Sequence, residues 1–349
     1  MSMSPPNYLI ISFVSWLPFQ ITGLPFMGRF LKLVYRRHSK RWKKRLLKKP
    51  VRWAFDFCYH MLKLGGIGRT EYFSRFGRKE FIFDIRKVHF SILYLEEYEK
   101  YGYEPDVSSI LTWLFRGHKD GVFFDIGANW GFFSFYVASL EFYSGIVHAF
   151  EPIPDTIQDL RQFITQGQLE TRLTAHQLAL SDAPGNAGMV VIDPLSSGVT
   201  RICEGEGDYL VEKATLDSMK LPAPEVMKID VEEHEFQVLN GARGILKKDK
   251  PYVIFENWLH ARPDHCLRPL RLMESMGYVL YYPCWYYGEW KNGFLSAELI
   301  PEPDSDKLSL CLCLFQSEDR YLFKDQINVL AIHRDRLSSL PEGVCKVRS

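Results

Sequence analysis

From Gly121 to Glu256 short apolar runs alternate with segments of helical period, and that alternation narrows the architectures open to the chain. The runs are 122–126, 146–150, 173–180, 226–230 and 252–256. Between them Phe133, Val137 and Leu140, then Ile157, Leu160 and Ile164, then Phe236, Leu239, Ala242 and Leu246 keep a helical spacing. Strands joined by helices predict a largely parallel α/β sheet with right-handed crossovers and helices on both faces. Two later runs, 308–315 and 328–333, lack a long helix between them and are expected to close the sheet as an antiparallel edge.

The residues before this block have a different character. Residues 1–28 carry no charged side chain, and residues 29–53 are densely basic, with Leu31, Tyr35, His38, Trp42 and Leu46 every three or four positions. Pro18 and Pro25 would break a spanning helix, so 1–28 is expected to associate with a membrane without crossing it cleanly. Residues 29–53 are expected to form a basic amphipathic helix on an anionic surface, in preference to a helix packed on the protein's own body. This places the protein at the cytoplasmic face of a membrane, with the cytoplasm as second choice. Residues 54–118 read as a mixed lead-in, with a short hairpin over 81–92 and a helix over 108–115; the main domain runs 119–335 and a tail 336–349.

Twelve Lys/Arg precede Asp56 with no acid among them, which leaves 31 of the 43 basic residues against all 42 acids in the remaining chain. An acidic body repels a phosphate backbone, so nucleic acid is not an expected partner. The seven cysteines form no CxxC pair, and Cys311 and Cys313 alternate on one strand face. Reduced, buried thiols are favoured over a disulfide framework or a zinc site.

Four segments carry chemistry. Phe123-Phe-Asp-Ile-Gly-Ala-Asn-Trp-Gly131 is a strand ending in Asp125, a turn bracketed by Gly127 and Gly131, and then a helix; ligands in such sheets bind outside the strands' carboxyl ends. The D-x-G-x-x-x-G spacing departs from the dinucleotide fingerprint, which argues against a nicotinamide-dependent oxidoreductase. The next strand ends in Glu151, whose carboxylate can accept from both hydroxyls of a ribose. Alone it is a solvated strand-end acid; following a Gly turn, it reads as a ligand group. Ser181 and Asp182 end the third strand and suit either an adenine contact or a turn start. Finally, 226–236 places Asp230, Glu232, His234 and Glu235 at the fourth strand's mouth, where acids either balance a helix dipole or supply a general base.

The four segments, FFDIGANWGFFSF, VHAFEPIPDT, LALSD and VMKIDVEEHEFQVLNGA, together with ATLDSM and PYVIFEN, resemble the FkbM family of methyltransferases over about residues 100–260. The family usually shows K-I-D-V-E-G-x-E; this chain has Glu233 where that glycine stands. The resemblance implies the class I methyltransferase fold: a Rossmann-like, seven-stranded, mostly parallel sheet with an antiparallel edge. It also implies S-adenosylmethionine as donor and O-methylation of a sugar, glycan or lipid-linked acceptor. Asp125, Gly127, Ala128, Asn129 and Gly131 would line the methionine end, Glu151 would hold the ribose, Ser181 and Asp182 would border the adenine, and Asp230 would lie opposite the methyl group.

An alcohol is a weak nucleophile at neutral pH and needs a base as the new bond forms. Asp230 with His234 is the expected acid/base centre, with Glu232 and Glu256 as neighbours; no metal ligand set is assigned. The aromatic stretch 278–290 offers Trp285, Tyr287 and Trp290 as candidate sugar-stacking rings, and His260, Arg262, His265 and Arg268 could meet an anionic acceptor. The alternatives are a membrane-tethered, non-catalytic scaffold of the same fold and an N-methyltransferase.

Overall fold

A computed structural model describes residues 8–12, 16–24, 66–85, 87–94, 98, 102–191, 200–203, 207–259, 263–287, 294–296, 308–323 and 326–341. In chain order the strands are β1 (Tyr8–Ser12), β2 (Phe19–Gly23), β3 (Ile67–Ser74), β4 (Gly77–Asp84), β5 (Val122–Ile126), β6 (Val147–Phe150), β7 (Leu173–His176), β8 (Ala179–Leu180), β9 (Gly185–Val191), β10 (Thr200–Cys203), β11 (Tyr209–Ala214), β12 (Pro224–Ile229), β13 (Tyr252–Trp258), β14 (Tyr278–Tyr287), β15 (Phe294–Ser296), β16 (Leu308–Phe315) and β17 (Gln326–His333). The helices are α1 (Pro105–Gly117), α2 (Phe132–Ser139), α3 (Pro154–Gly167), α4 (Glu235–Asn240), α5 (Arg243–Lys248) and α6 (Pro263–Ser275).

The main sheet has ten strands in the order β1-β16-β14-β17-β13-β12-β5-β6-β7, with β15 hung on β14. Strands β13, β12, β5, β6 and β7 are mutually parallel. Their interiors are apolar on both faces, Phe123 and Phe124 both being fully buried, as a sheet sandwiched between helices requires. Strand β17 runs antiparallel and lies between β13 and β14, inside the sheet and not at its edge. Crossovers leave β5 toward β6 on one side and β12 toward β13 on the other. The crevice where the order reverses therefore opens at the carboxyl ends of β5 and β12.

The apolar amino-terminal stretch departs from expectation. Residues Tyr8–Ser12 pair antiparallel with β16, and Phe19–Gly23 pair with β3. Leu9 and Ile11 point inward and are buried, and Phe19 is buried beneath β3 and β4. The physical reason is period: apolar residues two apart face one side of a strand, and an open sheet edge supplies the backbone partners that lipid would lack. Among the described residues no helix is long and apolar enough to cross a membrane. The basic segment 29–53 lies outside the described residues.

The lead-in also differs in detail. The hairpin is β3–β4, closed by a turn at Arg75-Phe76, and residues Val88–Tyr94 form a 3-10 helix where a second strand was expected. With β2 the hairpin makes a three-stranded sheet. Its inner rings pack on the helices that follow β5 and β6: Tyr72 stacks on Phe81 at 5.0 Å, Phe81 meets Phe163 at 4.8 Å, and the Tyr72 hydroxyl donates to the Phe135 carbonyl at 2.9 Å. Trp130, at the end of the β5 turn, is held between Phe19 and Phe90, both at 5.4 Å. The lead-in thus buttresses the turn that the sequence marks for ligand binding.

The run 173–180, expected as one strand, divides. Residues Leu173–His176 end the main sheet, and Ala179–Leu180 join β9, β10 and β11 in a four-stranded sheet of their own. Similarly, the helical period over 236–246 is carried by two short helices, α4 and α5, with Gly241 between them. Gly241 lies against the Ser181 carbonyl, where no side chain would fit.

Candidate active site

A cavity of about 400 Å³ opens in the crevice, walled by the β5 turn, the tips of β6 and β12, Leu180, and Glu104 from the start of α1. The β5 turn is tied down from two sides. The amides of Gly127 and Ala128 both donate to the Phe150 carbonyl, at 3.0 and 2.9 Å, and the Asp230 amide donates to the Ile126 carbonyl at 2.9 Å. Gly127 has φ +77°, and a Cβ there would run into the Asp230 carbonyl. Only glycine allows the β5 and β12 loops to approach this closely.

Glu151 is buried, and each of its carboxylate oxygens accepts one backbone N–H, from Asn129 at 3.0 Å and from Ile153 at 2.9 Å. Burial pushes its pKa up to about 7, against the pull of those two amides. Each oxygen retains a lone pair for a further donor. Asn129, at φ +53°, accepts from the Trp130 amide through its side chain at 2.8 Å and so presents its own N–H to Glu151.

Beyond the turn sits a group of charges. Lys228 is buried; its ammonium pairs with Asp230 at 2.7 Å and lies 4.6 Å from the centre of the Phe133 ring. Burial works against its charge, but the carboxylates of Asp230, Glu104 and Asp125 outweigh that and hold it above the ordinary lysine value. Glu104 adopts φ +39° just before Pro105, a left-handed conformation uncommon for a side-chain-bearing residue. Burial pushes its carboxyl up to about 7, opposed by Lys228 and assisted by Asp230 and Asp106. Glu256 accepts from the Trp258 indole N–H at 2.7 Å, and burial with the Asp230 charge raises it further still. Two carboxyls with separated protonation tendencies beside one fixed ion pair can share acid and base roles.

The expected site residues divide between wall and support. Gly127, Ala128, Asn129, Glu151, Asp230, Glu232 and His234 line the cavity. Asp125 lies buried behind the wall, where its Oδ2 accepts from Ser134 Oγ at 2.7 Å and its Oδ1 has no hydrogen-bond partner. Gly131, at φ +94°, starts α2. Ser181 is buried outside the wall, and Asp182 is exposed. The Asp230–His234 pair is not brought together by a hydrogen bond: Asp230 is engaged by Lys228, while His234 Nε2 lies 2.9 Å from Ser181 Oγ. Burial pushes the His234 pKa down to about 4, which leaves the ring neutral and a poor proton acceptor. Accordingly, His234→Ala is expected to leave kcat nearly intact and to weaken cofactor binding by about 5-fold, the worth of one ordinary hydrogen bond. A kcat loss above 100-fold would restore His234 as the base.

Other expectations fare unevenly. Trp285 is fully buried and cannot stack on a sugar, because its position on β14 faces the core. Tyr287 ends β14, and Trp290 lies outside the described residues, as do His260 and Arg262. His265 and Arg268 lie on α6 and border a separate shallow pocket, where Arg268 covers the Phe236 ring at 4.1 Å. Glu104, Tyr103, Lys228 and Trp258 were missed as cavity residues. Lys228 stood in the motif but read as a strand residue, and Glu104 carried only the signature of a helix start before Pro105.

The departure at Glu233 has a backbone counterpart. Glu232 and Glu233 sit at φ +51° and +71°, two consecutive left-handed residues in the loop before α4. A side chain there costs about 1 kcal/mol relative to glycine. Glu233→Gly should raise the melting temperature by roughly 2 °C. An unchanged or lower value would mean that the contacts of the Glu233 side chain outweigh the strain.

Residues 125–280 match the Methyltransferase FkbM domain. A hexuronic acid methyltransferase of Haloferax volcanii, AglP, is 28% identical over 165 residues, which cover 46% of this chain and 64% of that relative, so the chain spans less than two thirds of its length. Among solved structures, the methyltransferase FkbM of Methylobacillus flagellatus aligns at 17% identity over 56% of this chain and 44% of its own, with a TM-score of 0.34. The O-methyltransferase of Bacillus cereus in complex with SAH aligns at 12% identity over 61% and 83%, with a TM-score of 0.35.

Proposed function

We propose that this chain, whose residues 125–280 match the Methyltransferase FkbM domain, transfers the methyl group of S-adenosylmethionine to a hydroxyl of a sugar. The observation that carries the reading is the cavity's pairing of a glycine turn with a buried carboxylate that keeps a free lone pair on each oxygen. That is the acceptor set a ribose diol requires, and the apolar wall of Phe150, Leu180 and Ala179 beside it suits an adenine. When bound, the cofactor supplies an electrophilic methyl on a sulfonium.

The chain's own residues then align the acceptor and take its proton. Glu104 is the proton acceptor in this reading, since its carboxyl is poised near neutrality. Asp230, tied to Lys228, keeps a fixed charge at the cavity wall and orients the hydroxyl. The raised Glu256 stays protonated near neutral pH. Support for a sugar comes from the Haloferax relative's name and from Trp258, which lines the cavity and remains 37% exposed. The basic stretch 29–53 we read as the part that meets an anionic membrane surface, on its charge alone.

The test is calorimetric titration of the full chain with S-adenosylmethionine, then transfer of its labelled methyl to a panel of neutral sugars, uronates and amino sugars. Binding followed by alkali-stable label on a hydroxyl supports the reading. Label on nitrogen would make it an N-methyltransferase. No binding by folded protein would favour a scaffold.

A further inference from the structure

On the antiparallel side of the sheet, away from the cavity, three cysteines converge. Strands β14 and β16 pair so that Cys284 stands directly opposite Cys311, and Cys313 is the next residue of β16 on the same face. The Cys284 and Cys313 sulfurs are 3.3 Å apart and those of Cys311 and Cys313 3.7 Å, and all three lie within 4.8 Å of one another. Cys284 and Cys311 are buried and Cys313 is partly exposed. The backbone register, and not a choice of rotamers alone, sets this triangle.

We propose that Cys284, Cys311 and Cys313 form a binding site for one soft, thiophilic metal ion of the copper(I) class. Thiolates select soft ions over hard ones. Metal–thiolate bonds of ~2.3 Å place the sulfurs of a trigonal site ~4 Å apart, close to the spacing found. The described residues put three sulfurs and no imidazole or carboxylate in this group, which suits an ion content with three ligands better than zinc, which takes four. Cys313 pairs with Tyr8 on the short outer strand β1 and is the corner of the triangle that solvent reaches. On binding, each ligating thiol loses its S–H proton to solvent and gains a sulfur–metal bond. The ion's oxidation state does not change, and affinity rises with pH.

The experiment titrates the reduced, full-length chain, without oxygen, with copper(I) held by bathocuproine disulfonate. One equivalent is expected to pass from the chelator to the protein, with a new ultraviolet thiolate-to-copper band. Cys313→Ser, the least buried of the three positions, should lose that equivalent with unchanged circular dichroism, and Cys266→Ser, at a separate buried thiol, should keep it. Wild-type protein that takes no equivalent, or a folded Cys313→Ser that takes the same one, overturns the proposal. Zinc held through these cysteines while copper(I) is refused overturns the choice of a three-coordinate ion.

Discussion

Replacing Glu151 with alanine is expected to weaken S-adenosylmethionine binding by at least 100-fold while the protein remains folded. The carboxylate offers one remaining acceptor site on each oxygen, and a hydrogen bond to a charged group contributes about 1.5–3 kcal/mol. Two such bonds lost correspond to a factor of 100 or more. The two amides it now satisfies, those of Asn129 and Ile153, would face the enlarged cavity and take water in its place. A pH dependence follows with a definite sign. In the free protein burial holds this carboxyl at about 7, above its ordinary value. Hydroxyl donors favour the ionised form, so below pH 7 binding must first release a proton. Affinity should therefore climb as pH rises through 7 and then level off, and calorimetry in buffers of different ionisation enthalpy should detect the released proton. Glu151→Ala should abolish both the slope and the proton. Unaltered binding by the variant would remove the cofactor assignment at its foundation.

The parallel half of the molecule was legible because each element there has a local cause. Buried parallel strands must be short and apolar, their crossovers must be amphipathic, and Gly127 and Glu151 stand where a strand ends. The strand pairing of the amino-terminal segment was not legible, for a reason that lies elsewhere in the chain. Tyr8-Leu-Ile-Ile-Ser12 has the apolar density of a membrane segment, and what decides its fate is an open edge at β16, some 300 residues away in sequence. Nothing within residues 1–28 announces that edge. Trp285 illustrates the same limit, since an aromatic strand shows that rings will be buried or exposed in alternation without saying which face is the core.

The separation of Asp230 from His234 was not legible for a different cause. Asp230 and His234 are four residues apart and seemed natural partners, but the positive φ angles of Glu232 and Glu233 turn the chain between them. The ring then meets Ser181, and the carboxylate meets Lys228, two residues earlier on the same strand. Residues i and i+2 of a regular strand share a face, which makes Lys228–Asp230 the pair the sequence did offer. Glu104 was hidden more deeply. It precedes the matched domain and reaches the cavity because α1 packs on β1 and α2, with Asp106 held by Asn328 from β17 at 3.0 Å.

Glu104→Gln is accordingly the decisive test of the chemistry, and it is expected to lower kcat by 10²–10⁴-fold, the usual worth of a positioned general base. The amide keeps the side chain's size and its left-handed backbone but cannot take a proton. Cofactor binding should be unchanged, since Glu104 lies at the Lys228–Asp230 end of the cavity and not beside Glu151. In the wild type a base poised at about 7 makes kcat rise with pH through neutrality to a plateau, because only the ionised form accepts the proton. The variant's residual rate should be flat across that range, and Glu104→Asp should recover part of the rate along with the slope. Asp230→Asn is the less informative substitution. It strips the buried Lys228 of its direct partner, and an uncompensated buried charge costs about 3–5 kcal/mol, so lost activity there would mix chemistry with folding. A Glu104→Gln enzyme with wild-type kcat and the same pH slope would return the proton to Asp230, which lines the same cavity.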